Sequence, residues 1–64
     1  MDYYFVNINE EENGEHEVHR ADCSYLTDYS NCMVIGYFGD GQEAVREAKK
    51  YFAQSYGCRF CCNA

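Results

Sequence analysis

The 64-residue sequence has no long apolar run and no basic cluster near its start, which reads Met1-Asp2-Tyr3-Tyr4. A secretory signal peptide needs a basic segment followed by an apolar one, and a transmembrane helix needs about 20 apolar residues in succession. We therefore expect neither a signal peptide nor a membrane span. The expected setting is the reducing cytoplasm.

Basic residues are also scarce, since 5 Lys and Arg stand against 11 Asp and Glu, for a formal net charge of -6. Proteins bind nucleic acids mainly through Lys and Arg that displace the counterions of the phosphate backbone. Nucleic-acid binding is therefore disfavoured, and we expect a protein partner with a basic surface, because a negative field speeds that encounter. The acidic run Glu10, Glu11 and Glu12 is expected to form a solvated turn.

Proline is absent as well, while 17% of the residues are aromatic, so the composition indicates a packed chain. Sixty-four residues make a single domain, 1–64, and the core of so small a domain rarely supplies more than roughly 3–5 kcal/mol of stability. A second stabiliser is therefore expected. The five cysteines, at positions 23, 32, 58, 61 and 62, are the candidates. Their odd number and the lack of a secretion signal favour metal ligands over a disulfide framework.

Three segments are predicted to be β-strands. Residues 3–8 are rich in aromatic and β-branched side chains, and residues 15–19 can return beside them as a second strand. The connection contains Asn13-Gly14, a dipeptide suited to positive φ in a hairpin turn. After an irregular connection, the apolar run Cys32–Phe38 is predicted to be the third strand.

One helix is predicted to begin near residues 41–42, behind a capping pair formed by Asp40 and Glu43. Small and apolar residues recur at three- and four-residue steps as far as Ser55 and define its buried face. Gly57 is expected to end the helix in the left-handed conformation. The predicted fold is therefore α+β, with a small three-stranded antiparallel sheet, one C-terminal helix and a zinc site, in the order ββ-loop-β-α-knuckle.

Two short motifs supply four metal-ligating side chains. Cys58 and Cys61 form a Cys-x-x-Cys unit directly behind a glycine, and His19 and Cys23 are separated by three residues where the second strand ends. Three sulfurs and one nitrogen complete a tetrahedral shell, which is typical of a structural zinc site, because catalytic zinc normally keeps a water. We predict one Zn²⁺ ion on these four residues, with iron as the alternative metal, and no catalytic residue.

Other side chains compete for these roles. His16 lies three residues from His19, so the two point to opposite faces of a strand, and His16 is expected to be exposed. Cys32 opens an apolar run, where cysteine behaves as a small hydrophobic residue. Cys62 is expected to be a free thiol, which would matter in oxidation if its sulfur were partly exposed. A redox dithiol is the remaining alternative for the Cys-x-x-Cys unit, but redox pairs begin a helix, whereas this pair follows one.

The segment 18–26 reads Val-His-Arg-Ala-Asp-Cys-Ser-Tyr-Leu, and a strand, a helix and Gly57-Cys58-Arg59-Phe60-Cys61 follow it. This pattern resembles the metal-binding domain of the Ada DNA-repair proteins, especially the small relatives of that domain appended to bacterial nucleases and competence-type proteins. The resemblance covers roughly residues 18 to 61 and implies a single zinc ion on the ligands already named.

The resemblance also implies a difference in chemistry. In Ada itself four cysteines bind zinc, and the first of the upstream pair accepts a methyl group from a DNA methylphosphotriester. His19 occupies that position here, and a zinc-bound imidazole nitrogen cannot repeat the alkylation of a thiolate. Relatives also often carry proline before the first downstream cysteine, where this chain has Gly57.

These observations favour a small zinc-stabilised domain that acts as a non-catalytic protein-interaction or accessory module. The alternative is a thiol-based alkyl acceptor or a redox-active zinc-thiolate protein related to the Ada methyl-acceptor domains. That alternative is motivated by the Ada resemblance and by the adjacent thiols of Cys61 and Cys62.

Overall fold

The computed structural model describes residues 1–10, 13–26 and 29–62. Its elements in chain order are β1 (Asp2–Asn7), β2 (His16–Arg20), a 3-10 helix (Tyr29–Asn31), β3 (Cys32–Phe38), α1 (Gly41–Ala48) and β4 (Ser55–Gly57). The predicted α+β class is confirmed. The three predicted strands are present, and their ends lie within one residue of the predicted ends.

The four strands form one sheet in the order β3-β1-β2-β4. β1 is antiparallel to β2 and β3, whereas β2 and β4 run parallel. The prediction of three antiparallel strands is therefore wrong in this detail, because the sheet is mixed and has a fourth strand. β4 forms because the chain behind α1 returns along β2: His16 N donates to the Gln54 carbonyl at 2.8 Å and Cys58 N donates to the Val18 carbonyl at 2.9 Å.

Helix α1 begins where the sequence predicts but ends earlier. Its N-cap is Asp40, whose side chain accepts a hydrogen bond from Glu43 N at 2.9 Å, so the predicted capping interaction is present. The helix ends at Ala48, and the chain then turns, with Phe52 N donating to the Ala48 carbonyl at 2.9 Å. The predicted extension toward Ser55 is wrong, because that residue belongs to β4. Within the described ranges, no helix is long and apolar enough to cross a membrane.

The end of the turn between β1 and β2 has the positive φ that the Asn13-Gly14 dipeptide predicts. Gly14 has a φ of 83°, and Glu15 N donates to the side-chain oxygen of Asn13 at 3.0 Å. Of the predicted acidic turn, Glu10 is exposed. Residues 11 and 12 lie outside the described ranges.

Gly57 lies inside β4 and does not adopt the left-handed conformation, so its predicted role as a helix cap is wrong. It is needed for another reason. A Cβ atom at Gly57 would lie 2.7 Å from Cys62 Cβ, and a Cβ at Gly41 would lie 2.5 Å from Cys62 Cα. Cys62 therefore packs closely against both the start of α1 and β4, where a methyl group has no room.

Two apolar clusters lie on opposite faces of the sheet, because alternate residues of a strand point to opposite sides. On the face covered by α1, the buried residues are Tyr4, Val6, Val18, Ile35, Ala44, Ala48 and Cys62. The second cluster lies on the other face and is smaller. Its buried members are Cys23, Leu26 and Cys58, with Phe5, Cys32 and Cys61 packed against them. Three of the four predicted metal ligands thus belong to the second cluster or its border.

Candidate metal centre

The four predicted ligands lie together at one point in the fold. His19, Cys23, Cys58 and Cys61 each offer one donor atom, and all four donor atoms lie within 4.8 Å of one another. His19, Cys23 and Cys58 are buried, with at most 8% of their surface exposed, and Cys61 is partly buried. The cluster could therefore hold a metal ion.

The end of β2 and the turn behind it position the upstream pair. His19 lies opposite Phe5 in the ladder between β1 and β2, so its side chain points away from α1. β2 ends at Arg20, and Cys23 N donates to the Arg20 carbonyl at 2.9 Å, which turns the chain back toward the imidazole. Leu26 N then donates to the Cys23 carbonyl at 3.1 Å, and the buried Leu26 side chain packs with Cys23 in the second cluster.

β4 and a tight turn position the downstream pair. Cys58 N donates to the Val18 carbonyl at 2.9 Å, which holds the start of the Cys-x-x-Cys unit beside β2. Cys62 N donates to the Cys58 carbonyl at 2.8 Å and closes the turn. Arg20 N donates to the Cys61 sulfur at 3.2 Å, and an N–H directed at sulfur stabilises a thiolate. The parallel pairing of β2 and β4 thus places the two ligand pairs side by side.

Two separations between donor atoms are close to those around a tetrahedral ion. Zinc bonds of about 2.3 Å to sulfur and about 2.0 Å to nitrogen place two sulfurs about 3.8 Å apart, and a sulfur and a nitrogen about 3.5 Å apart. The Cys23 and Cys58 sulfurs are 3.9 Å apart, and the Cys61 sulfur is 3.9 Å from His19 Nδ1. These two separations and the donor set of one imidazole and three thiols are compatible with a tetrahedral metal ion.

The environment of the site affects the protonation of its sulfurs. Burial raises the pKa of the Cys61 thiol, and the hydrogen bond from Arg20 N offsets this effect only in part. In the metal-free protein this sulfur therefore holds its proton. A bound divalent cation would reverse that preference, because it coordinates the thiolate and displaces the proton.

A carboxylate that the sequence analysis overlooked contacts the cluster. Glu17 Oε1 lies 2.8 Å from His19 Nε2, and the Tyr56 hydroxyl donates to Glu17 Oε2 at 3.3 Å. Glu17 could have been found from the sequence, since residues two apart on a strand share a face. Tyr56 could not, because β4 was not predicted.

His16 lies outside the cluster, and its side chain points to the opposite face of β2 from His19, as predicted. It is half-buried and not exposed as expected. His16 Nδ1 lies 2.9 Å from the Asn7 carbonyl oxygen, and its ring stacks on Phe52 with centroids 4.0 Å apart. These contacts give His16 a structural role between β1 and the segment that follows α1.

The two remaining cysteines also lie outside the cluster, and none of the five forms a disulfide. Cys32 packs against the second apolar cluster, as predicted for a small hydrophobic residue. Cys62 is a free thiol, as predicted, but it is buried, and its sulfur donates to the Val18 carbonyl at 3.2 Å. The partial exposure that oxidation of Cys62 would require is therefore absent.

The Cys-x-x-Cys unit follows a strand, and within the described ranges no helix begins at it. The helix N-terminus that lowers the pKa of a thiol in thioredoxin-like pairs is therefore missing at this position.

Two exposed aromatic rings lie on the segments that carry the ligands. Tyr25 and Phe60 are 57% and 62% exposed, and their rings stack with centroids 4.1 Å apart and an interplanar angle of 17°. Tyr25 follows Cys23 by two positions, and Phe60 lies inside the Cys-x-x-Cys unit. The guanidinium carbon of Arg59 is 5.7 Å from the Phe60 centroid. We call Tyr25, Arg59 and Phe60 the aromatic patch.

Comparisons with known proteins identify no relative of this chain. No protein-family model matches the chain, and no curated protein or solved structure matches it significantly. The resemblance to Ada-type domains therefore rests on the motif residues alone.

Proposed function

We propose that this chain is a small zinc-stabilised domain that acts as a non-catalytic protein-interaction module. The observation that carries the proposal is the convergence of one imidazole and three thiols within 4.8 Å. Four protein ligands fill the tetrahedral shell of zinc and leave no position for water or substrate, which is the arrangement of structural sites.

Zinc is the proposed ion because thiolate and imidazole are ligands that it favours, and because it has no redox chemistry to control. Iron in a thiolate-rich tetrahedral site is the competing possibility. Elemental analysis of the purified protein is expected to find about one zinc per chain. Iron at the same stoichiometry would contradict this part of the proposal.

The stabilising role of the ion follows from the size of the two apolar clusters. Within the described ranges, the cluster on the α1 face contains four buried aliphatic or aromatic side chains from the strands, Tyr4, Val6, Val18 and Ile35, and two of the three buried residues in the other cluster are proposed ligands. A domain of this size hides only about 60% of the surface of its unfolded chain. A bound ion would join the end of β2 to the end of β4 and add folding free energy that the small core does not provide.

The proposed contact surface is the aromatic patch. Exposed aromatic residues and Arg are the residue types that dominate binding energy at protein interfaces. Two segments of the chain join the patch to the metal site, because its residues lie within two positions of Cys23, Cys58 or Cys61. Metal binding would therefore order the patch, and the net charge of -6 favours a basic partner.

A comparative capture experiment tests the interaction. Zinc-loaded wild-type protein and zinc-loaded Tyr25→Ala and Phe60→Ala variants would be immobilised side by side, with Tyr51→Ala as a control, since Tyr51 is 57% exposed and lies outside the patch. A partner retained by wild type and by Tyr51→Ala, but lost by both patch variants, is expected. Equal retention by all four proteins would refute the patch as the contact surface.

A second candidate function, an alkyl acceptor related to the Ada domain, is favoured by one observation. Cys61 is the one proposed ligand that is not fully buried, so its sulfur is the most accessible to a reagent. The hydrogen bond from Arg20 N opposes this function, because it reduces the nucleophilicity of the sulfur. Mass spectrometry after exposure to a methylating agent decides: stable methylation at Cys61 would favour the second candidate, and an unmodified Cys61 would favour the structural site.

A further inference from the structure

A histidine can offer either ring nitrogen to a metal, and the two nitrogens of His19 have different surroundings. Nδ1 faces the cluster, 3.9 Å from the Cys61 sulfur. Nε2 lies 2.8 Å from Glu17 Oε1. Nδ1 therefore faces the other proposed ligands, and Nε2 faces one carboxylate.

The position of Glu17 is fixed by its own neighbours. Glu17 and His19 are two residues apart in β2 and share a face of the sheet, so little side-chain movement is needed to join them. Tyr56 pairs with Glu17 across the parallel ladder, and its hydroxyl donates to Glu17 Oε2 at 3.3 Å. The Glu17 side chain is 26% exposed and that of His19 is 5% exposed, so their contact is largely shielded from water.

We infer that Glu17 is a positioning residue of the metal site, which selects Nδ1 of His19 as the metal ligand; this inference rests on the proposed zinc site. By accepting the hydrogen on Nε2, the carboxylate fixes the tautomer in which Nδ1 carries the free electron pair. It also fixes the orientation of the ring and increases the electron density at Nδ1. Partners of this kind around metal ligands typically contribute 10–100-fold to metal affinity.

Zinc competition titrations with a chromophoric chelator test the effect on affinity. Glu17→Ala is expected to weaken zinc binding about 10–100-fold. Glu17→Gln is expected to weaken it less, because an amide oxygen still accepts the Nε2 hydrogen but carries no charge. Tyr56→Phe is expected to have the zinc affinity closest to that of the wild type. The matched control is Glu15→Gln, which makes the same change of charge just before β2 on a side chain that contacts Asn13 instead of the site.

Nitrogen NMR of the His19 ring distinguishes a positioning role of Glu17 from a purely structural one, because only the positioning role affects which ring nitrogen binds zinc. In zinc-loaded wild type, the ring ¹⁵N shifts are expected to identify Nδ1 as the bound nitrogen and Nε2 as protonated. Saturating zinc keeps Glu17→Ala folded for the same measurement, and there a second population bound through Nε2 is expected.

The outcomes separate this inference from the proposed function. If wild type binds zinc through Nδ1 and Glu17→Ala has wild-type affinity and the same bound nitrogen, Glu17 has no positioning role, while the zinc site stands. Zinc bound through Nε2 in the wild type would also refute the inference and leave the site intact. A wild-type protein that takes up no zinc would refute both.

Discussion

The sulfur atoms of Cys23 and Cys58 lie 3.9 Å apart although the two residues are 35 positions apart in the chain. Cys23 lies in the turn behind β2, and Cys58 lies directly behind β4. Backbone hydrogen bonds between β2 and β4 bring the segments together, but each segment alone carries little apolar surface. Loss of either cysteine ligand is therefore expected to affect folding.

Cys23→Ser and Cys58→Ser are each expected to abolish stoichiometric zinc binding and to leave the domain largely unfolded at 25 °C. The reason is linkage, since zinc binding in small zinc-finger peptides contributes about 10–16 kcal/mol that is available only to the folded state. Far-UV circular dichroism and amide NMR dispersion would measure the loss. Native-like spectra for both variants in the absence of metal would contradict the expectation.

Cys62→Ser is expected to retain one zinc ion and the fold. A serine hydroxyl can still donate to the Val18 carbonyl, which the Cys62 sulfur contacts at 3.2 Å, so the cost should be about 1 kcal/mol. Chemical denaturation of the zinc-loaded variant measures this cost. Destabilisation as large as that of Cys58→Ser would show that the ligands have been assigned wrongly.

Gly41→Ala and Gly57→Ala are each expected to destabilise the zinc-loaded domain by about 1–3 kcal/mol, because overpacking of a close contact forces local displacement. The new methyl groups would lie 2.5 Å from Cys62 Cα and 2.7 Å from Cys62 Cβ. Gly39→Ala is the control, since its Cβ would meet only the flexible Glu43 carboxylate at 3.1 Å. Equal stability of all three variants in thermal unfolding would contradict the close packing of Cys62.

The zinc-loaded protein is expected to lose stability as the pH decreases. Burial raises the pKa of the Cys61 thiol when no metal is bound, whereas a bound ion requires the thiolate, so protons compete with zinc for this sulfur. Below the unfolded thiol pKa of about 8.5, the unfolded state therefore binds more protons than the zinc-loaded fold, and stability rises with pH up to that value. Urea unfolding of the zinc-loaded protein across this acidic side measures the slope. A stability that does not change, or that falls as the pH rises toward this value, would contradict the expectation.

The sequence predicts the site better than it predicts the fold around it. The spacing of His19 and Cys23, and of Cys58 and Cys61, is a local pattern that reflects chelation geometry, so it identifies the four converging residues without knowledge of the topology. The capping pair at Asp40 and the three longer strands are likewise local signals. These are the features for which prediction and structure agree.

The features that were missed depend on distant partners. β4 is only three residues long, and its pairing partner β2 lies almost 40 positions earlier, so no local pattern distinguishes it from a continuing helix. Phe52 and Ser55 continue the spacing that predicted a longer helix, but both make other contacts. Phe52 stacks on His16, and Ser55 is buried in β4. Cys62 is buried because it packs against Gly57 in β4 and against Gly41 at the start of α1, and Gly41 lies 21 positions earlier in the chain.

Native mass spectrometry combined with circular dichroism, before and after treatment with excess EDTA, measures whether the fold depends on bound zinc. If it does, the chain carries one zinc ion and loses its folded signal as the ion is removed, and the signal recovers when zinc is returned. Purified protein that contains no metal and still unfolds cooperatively in excess EDTA would show that zinc does not hold the fold together.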